Sequence, residues 1–310
     1  MKISVQSQDL VDDFGAERAY EMIREAGFEA IDWNIDHAWN AGEVCSALVF
    51  EGLSIFERPL DEILAYYAEE LEVIRRNGLS ITQAHAPFAT LDKPAVLDYA
   101  ISIYKNVIAF CGAVGCPRVV IHGITKRENR ADLTPADLKA MNWKLYSSLI
   151  PTLLETEGVT VCLENLFTRA TTLGFDFWEG CCSNPYEAVE YIDALNVAAG
   201  KRVFGLCLDT GHLNLLRKPF HSYVPIVGDR ICALHIQDNS QSNDTHVMPY
   251  AGSTKWADFL KEMKAIGYAG DLSFETFAQV RSNRLPKELV PVFLHTIAEI
   301  GKYFRAELQG

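Results

Sequence analysis

The 310-residue chain holds no run of about 18 uninterrupted apolar residues, so neither a membrane-spanning helix nor a membrane partner is expected. Its first residues, MKISVQSQDLVDDFG, lack the apolar stretch of roughly 7–15 residues that a secretory signal requires after its basic start. Cationic side chains are scarce: 28 Lys and Arg stand against 41 Asp and Glu, which leaves a net charge of −13 and a pI near 5.1. That acidic excess opposes affinity for a phosphate backbone and makes nucleic acid a poor first choice of partner. The eight cysteines form no CxxC pair, and most sit inside apolar runs such as VCLEN and GLCLDT. They read as small packing residues of a reduced, cytoplasmic protein, the adjacent Cys181 and Cys182 included. A Gly-rich phosphate-binding turn is missing after the first predicted strand, and no Pro/Ser-rich linker or low-complexity stretch divides the chain.

Apolar residues are abundant, at 49%, which excludes disorder. The length fits two domains of about 150 residues or one large barrel. Short β-rich runs alternate with helical patterns from end to end, and strands are predicted at 2–6, 29–35, 79–85, 118–123, 159–165, 203–209, 231–237 and 271–276. Helices are predicted between them, among them Leu60 to Arg76, Pro135 to Thr156 and Pro185 to Ala199, with Thr134 and Asn184 as N-caps; only the sixth, within 219–228, is weakly signalled. Gly recurs just before strands, at Gly27, Gly78, Gly115, Gly158 and Gly267, where a left-handed helix end is needed. Eight such units predict an α/β fold, a single-domain (β/α)8 TIM barrel over 1–310, in preference to an open eight-stranded sheet. Insertions at about 36–59 and 166–184 follow strands and fall on the functional rim.

In such a barrel the chemistry stands at the C-terminal strand ends. Polar residues collect there: His85, His122, Glu164, Asp209 with His212, His235 and Glu275, and Asp244 with His246 follow the seventh strand. A lone histidine or carboxylate at one of these ends reads as an ordinary hydrogen-bonded rim residue. Glu164, Asp209 and Glu275 each follow an apolar run, however, and three carboxylates converging on one mouth repel unless protons or a cation neutralise them. With His235 they make an oxygen-rich set suited to one divalent metal ion, Mn²⁺ first, with Mg²⁺, Co²⁺ or Zn²⁺ as alternatives.

The phrases Leu163-Glu164-Asn165, Leu208-Asp209-Thr210-Gly211-His212, Leu234-His235-Ile236-Gln237-Asp238, Asp244-Thr245-His246 and Phe274-Glu275-Thr276 follow one another in order along the strands. In them the chain resembles the xylose isomerase-like TIM-barrel superfamily, in its sugar phosphate isomerase/epimerase branch, over nearly its whole length. The resemblance implies Glu164, Asp209, His235 and Glu275 as metal ligands and His212 as a substrate contact. It further implies a cytoplasmic enzyme of carbohydrate metabolism and a possible homo-oligomer.

On that basis the expected function is a metal-dependent sugar isomerase or epimerase acting on a ketose, aldose or polyol through a metal-stabilised enediolate. Glu164 and Glu275 act as the proton-transferring pair on opposite faces of the substrate. His85, His122, His212, His246 and Asp244 are expected to bind substrate, and Asn165 to orient Glu164. Trp33, Trp39, Phe88, Phe167, Phe175 and Trp178 either stack on a sugar face or pack the rim; Lys126, Arg127, Arg169 and Arg281 are the cations near the strand ends. The first alternative is a keto-polyol dehydratase or lyase resembling inosose dehydratase, with His246 or His122 as the acid that expels a leaving group. The second is an endonuclease IV-like trinuclear zinc enzyme, because His85, His122, Glu164, Asp209, His212, His235, Asp244, His246 and Glu275 supply residue types like all nine ligands of that family. An inactive binding protein of this fold is disfavoured by the intact ligand positions. Ketohexose epimerase activity is questioned by a departure from the family pattern: no Arg lies between Gln237 and Asp244.

Overall fold

The structure, a computed structural model, describes residues 1–35, 38–125, 132–169, 176–281 and 285–310. Ten strands are found among them: β1 (Ile3–Gln6), β2 (Ala30–Asn34), β3 (Ser80–His85), β4 (Arg118–Val120), β5 (Thr160–Glu164), β6 (Phe167–Arg169), β7 (Phe177–Glu179), β8 (Phe204–Asp209), β9 (Ile231–His235) and β10 (Leu272–Phe274). The helices are α1 (Gln8–Phe14), α2 (Ala16–Ala26), α3 (Ala41–Ser46), α4 (Leu60–Tyr66), α5 (Ala68–Arg76), α6 (Pro94–Val114), α7 (Pro135–Ser147), α8 (Ile150–Glu155), α9 (Pro185–Ala199), α10 (Thr210–Leu215), α11 (Val224–Val227), α12 (Trp256–Ala265) and α13 (Val290–Gln309).

Eight parallel strands run in the order β10-β1-β2-β3-β4-β5-β8-β9, and a parallel bridge between Ile236 and Phe274 joins the last to the first. The sheet therefore closes on itself as a TIM barrel, and the open-sheet alternative is excluded. The strands turn apolar side chains outward under the helices, while the inward face carries small and polar residues, among them Asp32, Gln83 and Ser273, which are hydrogen-bonded to one another. Leu163, Leu206, Leu208 and Leu234 are fully buried in the cluster that includes the apolar residues of the helices. Each such burial contributes about 1.5–3 kcal/mol. Val120, Cys162, Cys207 and Ala233 form a separate, small cluster of their own. The alternation sets the polar strand-end residues on the same face as that small cluster, so they point into the mouth.

The helix boundaries repay the capping chemistry. Thr134 accepts the Asp137 N–H as N-cap of α7, and Asn184 accepts that of Tyr186 at the start of α9. Gly115, at φ +74°, ends α6 in the left-handed conformation that turns the chain into β4. Two predicted helices are each broken in two. Leu60 to Arg76 divides at Tyr67, and Pro135 to Thr156 divides before α8, where Pro151 has no N–H to continue the preceding turns. The weak sixth helix is a 3₁₀ turn at Phe220–Ser222 followed by the short α11. Within the two insertions the described residues include α3 and the antiparallel hairpin β6-β7. One helix, α6, has the length and composition to cross a membrane, but 61% of its most apolar window is buried inside the protein.

Candidate active site

The carboxyl ends of β5, β8, β9 and β10 bring Glu164, Asp209, His235 and Glu275 together, and all four are buried. His235 Nδ1 lies 3.3 Å from Glu164 Oε1 and 3.5 Å from Glu275 Oε2. Asp209 is the N-cap of α10: its Oδ1 accepts the His212 N–H at 2.7 Å, while its Oδ2 is buried with no hydrogen-bond partner. One ligand atom each from Asp209, His235 and Glu275 falls within 4.8 Å of the others, and the same holds for Glu164, Asp209 and His212 and for His85, His122 and Glu164. Asp209 Oδ2, 3.8 Å from His212 Nε2, accepts no hydrogen bond from the described residues, and a buried carboxylate oxygen left so among oxygen and imidazole donors fits a divalent metal.

The remaining predicted residues surround this centre. His122 Nε2 is 2.9 Å from Glu164 Oε2 and 2.9 Å from His85 Nε2. His212 Nδ1 lies 3.3 Å from Glu164 Oε1, and its Nε2 lies 3.5 Å from Asp244 Oδ2. His246, held at φ +46°, places Nε2 2.9 Å from Asp244 Oδ2 and Nδ1 3.5 Å from Glu275 Oε2. All nine strand-end and loop residues singled out in the sequence thus meet in one cluster.

Asn165 does something other than the sequence reading expects. Its side chain reaches the backbone of Asp209 and not the Glu164 carboxylate: Oδ1 accepts the Asp209 N–H at 2.8 Å and Nδ2 donates to the Asp209 carbonyl at 2.9 Å. Trp33 is also corrected, since it is fully buried away from the mouth with its indole N–H on Glu70. Trp39, Phe88 and Phe167 line the cleft, with Phe167 4.9 Å from the His212 ring, whereas Trp178 is exposed and does not. Arg281 lines the cleft but is ion-paired to Asp9, and Arg169 donates to Asn243. Phe175, Lys126 and Arg127 lie outside the described residues.

The electrostatics follow from burial. Burial and the neighbouring Glu164 and Asp209 charges push Glu275 up to about 8, against the pull of His235 and His246. Burial also raises Asp209. Burial works to raise Glu164 too, but the His235 and His122 imidazoles outweigh it and hold Glu164 well below the usual carboxylate range. His212 and His246 overcome their own burial penalty and rise to about 10 and about 9, drawn up chiefly by Asp209 and Asp244 respectively. His85 goes the other way, to about 3, through burial and the His122 charge. The centre thus divides its groups: Glu275, His212 and His246 hold protons more readily than usual, and Glu164 and His85 less so.

Several participants carried too little signal to be singled out from sequence. Asp32 of β2 sets Oδ2 3.3 Å from His235 Nε2 and accepts the Ser273 hydroxyl at 3.1 Å. Gln237 donates to Asp244 at 2.8 Å and to Asp209 at 3.3 Å. Gln6 and Asn34, at the ends of β1 and β2, complete the circle of strand ends; their one cue is a polar residue closing an apolar strand. Glu164 and Glu275, with His85, His122, His212, Asp244 and His246, line a cleft of about 1010 Å³, whereas Asp209, His235, Asp32 and Gln237 are buried and do not line it. A second hollow of about 790 Å³, around Lys2, Arg118 and Asp271, lies at the opposite end of the barrel and away from these groups.

A closed parallel barrel with a buried acidic and histidine-rich centre at its carboxyl mouth defines a TIM barrel with its candidate site where such barrels carry their chemistry. The sequence pattern of the xylose isomerase-like TIM barrel family matches residues 20–292, and the chain belongs to that family. Among known proteins it is 27% identical over 290 residues to an uncharacterised protein, y4fM, of Sinorhizobium fredii, covering 85% of this chain and 82% of that one. Among solved structures it is similar to a D-tagatose 3-epimerase-like protein (TM-score 0.70, 20% identity, 100% of this chain and 98% of the other). It is equally similar to a D-psicose 3-epimerase crystallised with D-fructose (TM-score 0.71, 14% identity, both chains covered in full). At these identities the structural likeness establishes the fold.

Proposed function

We propose that the chain is a divalent-metal-dependent isomerase or epimerase of a keto-sugar or polyol. The observation that carries this reading is the buried group Glu164, Asp209, His235 and Glu275, whose Asp209 Oδ2 accepts no hydrogen bond from the described residues and whose Glu164 and Glu275 line a cleft large enough for a small-molecule ligand. The epimerase activities named for the structural relatives agree with it. These four residues would hold the metal, Mn²⁺ first, and the bound ion would act as a Lewis acid toward a substrate carbonyl, making the neighbouring C–H acidic.

Glu164 and Glu275 reach the same nitrogen of His235 from different strands, and each keeps a second carboxylate oxygen when the first ligates. One takes the proton from carbon, and the other, recharged with a proton from solvent at its free oxygen, returns one, a pairing that moves or inverts a stereocentre without hydride transfer. His212, tied through Nδ1 to the Asn165 carbonyl at 3.0 Å, presents Nε2 to the substrate side with Asp244, while His85 and His122 take substrate hydroxyls. A lyase outcome on the same keto-polyol would need His122 or His246 to protonate a leaving group instead of carbon.

A second reading is favoured by one specific observation. The donor group His85, His122 and Glu164 adjoins the four-ligand set, and His212, Asp244 and His246 form a further cluster beside it. That is room for more than one ion, as in a multinuclear phosphoester hydrolase. The test is elemental analysis of protein purified without chelator, with Glu164→Gln as control, followed by NMR of solvent deuterium incorporation into ketoses, inososes and keto-glycosides. About one Mn, Mg or Co per chain, weakened in the variant, with deuterium entering a ketose, supports the isomerase. Three zinc ions per chain and cleavage of abasic DNA would replace it with the hydrolase, and no bound metal would end both.

A further inference from the structure

The mouth of the barrel is a ring with one polar residue at or just past the end of each strand: Gln6, Asn34, His85, His122, Glu164, Asp209, His235 and Glu275. Six of them are ionisable and are absorbed by the site described above. Gln6 is not. It is 2% exposed, lines the cleft, and its Oε1 is buried without a hydrogen-bond partner; its side chain takes part in no hydrogen bond with the described residues. A carboxamide oxygen buried without a hydrogen-bond donor, on a side chain that lines a cleft, is rare in folded proteins and calls for a partner that arrives later.

Its position says which part of a ligand it meets. Val5 pairs with Phe274 in the parallel register, so the next residue, Gln6, stands beside Glu275, and Gln6 itself pairs with Asp32 on its other side. Adjacent strands lie about 4.8 Å apart. That is the reach of three to four carbon–carbon bonds of ~1.5 Å each along a zigzag chain. We infer that Gln6 is a specificity-determining residue, whose carboxamide takes a hydroxyl three or four carbons from the reacting carbon, and that the substrate is therefore a keto-sugar of five or more carbons. The inference rests on the reading of the site as a sugar isomerase or epimerase. A polar group built to pair with a substrate hydroxyl discriminates strongly against an analogue lacking it, because the buried amide is then left unpaired.

The test is isothermal titration of the Mn²⁺-loaded protein with D-fructose and its 5-deoxy and 6-deoxy analogues, in the parent protein and in Gln6→Leu and Gln6→Met, either of which serves if the other fails to fold. One deoxy analogue is expected to bind the parent protein at least tenfold more weakly than D-fructose. In the variants that ratio falls to within twofold, with Mn²⁺ affinity and binding of that deoxy analogue unchanged. Discrimination that persists in both variants, affinity lost equally for all three sugars, or a parent protein that binds all three alike overturns the role of Gln6 alone, and would leave it a residue satisfied by an ordered water. Failure of every sugar to bind the Mn²⁺-loaded parent protein overturns the sugar reading and this assignment with it.

Discussion

The carboxylate of Asp32 stands 3.3 Å from Nε2 of His235, on the side of the imidazole opposite the carboxylates of Glu164 and Glu275. Nε2 makes no aligned hydrogen bond here, but a carboxylate this close to the second nitrogen of a ligating histidine favours one tautomer and makes the ring a better donor. Asp32 is itself held by the Ser273 hydroxyl and the Gln83 carboxamide, so it cannot swing away. Asp32→Asn is expected to weaken Mn²⁺ binding about 10–100-fold. Titration of the metal-free protein checks this, and an unchanged affinity would mean that His235 is not a ligand.

Metal binding should also release protons. Glu275 rises from 4.5 to about 8 in the metal-free site, so below about pH 8 the ion must displace a proton to reach it. Apparent affinity should therefore climb by up to about tenfold per pH unit between pH 6 and 8 and flatten above. The same shift governs stability: a carboxyl whose folded value is raised contributes stability that is complete below pH 4.5 and lost as pH rises through about 8. Metal-free protein should lose denaturant resistance over that window, and saturating Mn²⁺ should remove the loss. A flat affinity profile across pH 6–8 would contradict the placement of Glu275 in the metal set.

Much of this was legible because barrels bury both faces of every strand and leave chemistry only at the ends. Eight apolar runs were visible as such, and a charged residue closing one, as Glu164 closes TVCL, stands out against its surroundings. Gln6 and Asn34 close their strands with neutral amides and gave no such contrast. Asp32 was hidden for a different reason: it lies one pleat below its strand end, and only the curvature of the barrel brings it under His235. The Asn165 contact was misassigned because adjacency in sequence placed it beside Glu164, whereas alternation along the strand turns its side chain toward β8. The hairpin β6-β7 lacked a strand-length apolar alternation and pairs over three residues only.

Asp238 anchors the loop that carries Asp244 and His246. Its buried carboxylate accepts the N–H groups of Asn239, Tyr250, Gly252 and Thr254, and the indole N–H of Trp256, at 2.8–3.1 Å. Asp238→Ala leaves these donors without a partner, at about 1–3 kcal/mol for each that water cannot reach. The expected loss is more than about 3 kcal/mol, measured by urea denaturation. Loss of under 1 kcal/mol would show that the loop holds itself in place without this carboxylate.

Gly211 tests the link between backbone and site most directly. A Cβ at this position would fall 2.1 Å from the carboxamide of Gln237, the group that donates to both Asp209 and Asp244. Gly211 lies in α10 with an ordinary helical backbone, so a side chain here is excluded by space and not by conformation. Gly211→Ala must push Gln237 aside, at a cost of about 1–3 kcal/mol in a well-packed interior. The displaced amide leaves Asp209 Oδ1 with the His212 N–H alone and frees Asp244 to draw closer to His212 and His246. Metal affinity should fall more than stability does, and Gly211→Ala combined with Gln237→Ala, which opens the space, should recover the stability but not the affinity. If the double variant is no more stable than Gly211→Ala, the clash with Gln237 is not what the glycine avoids.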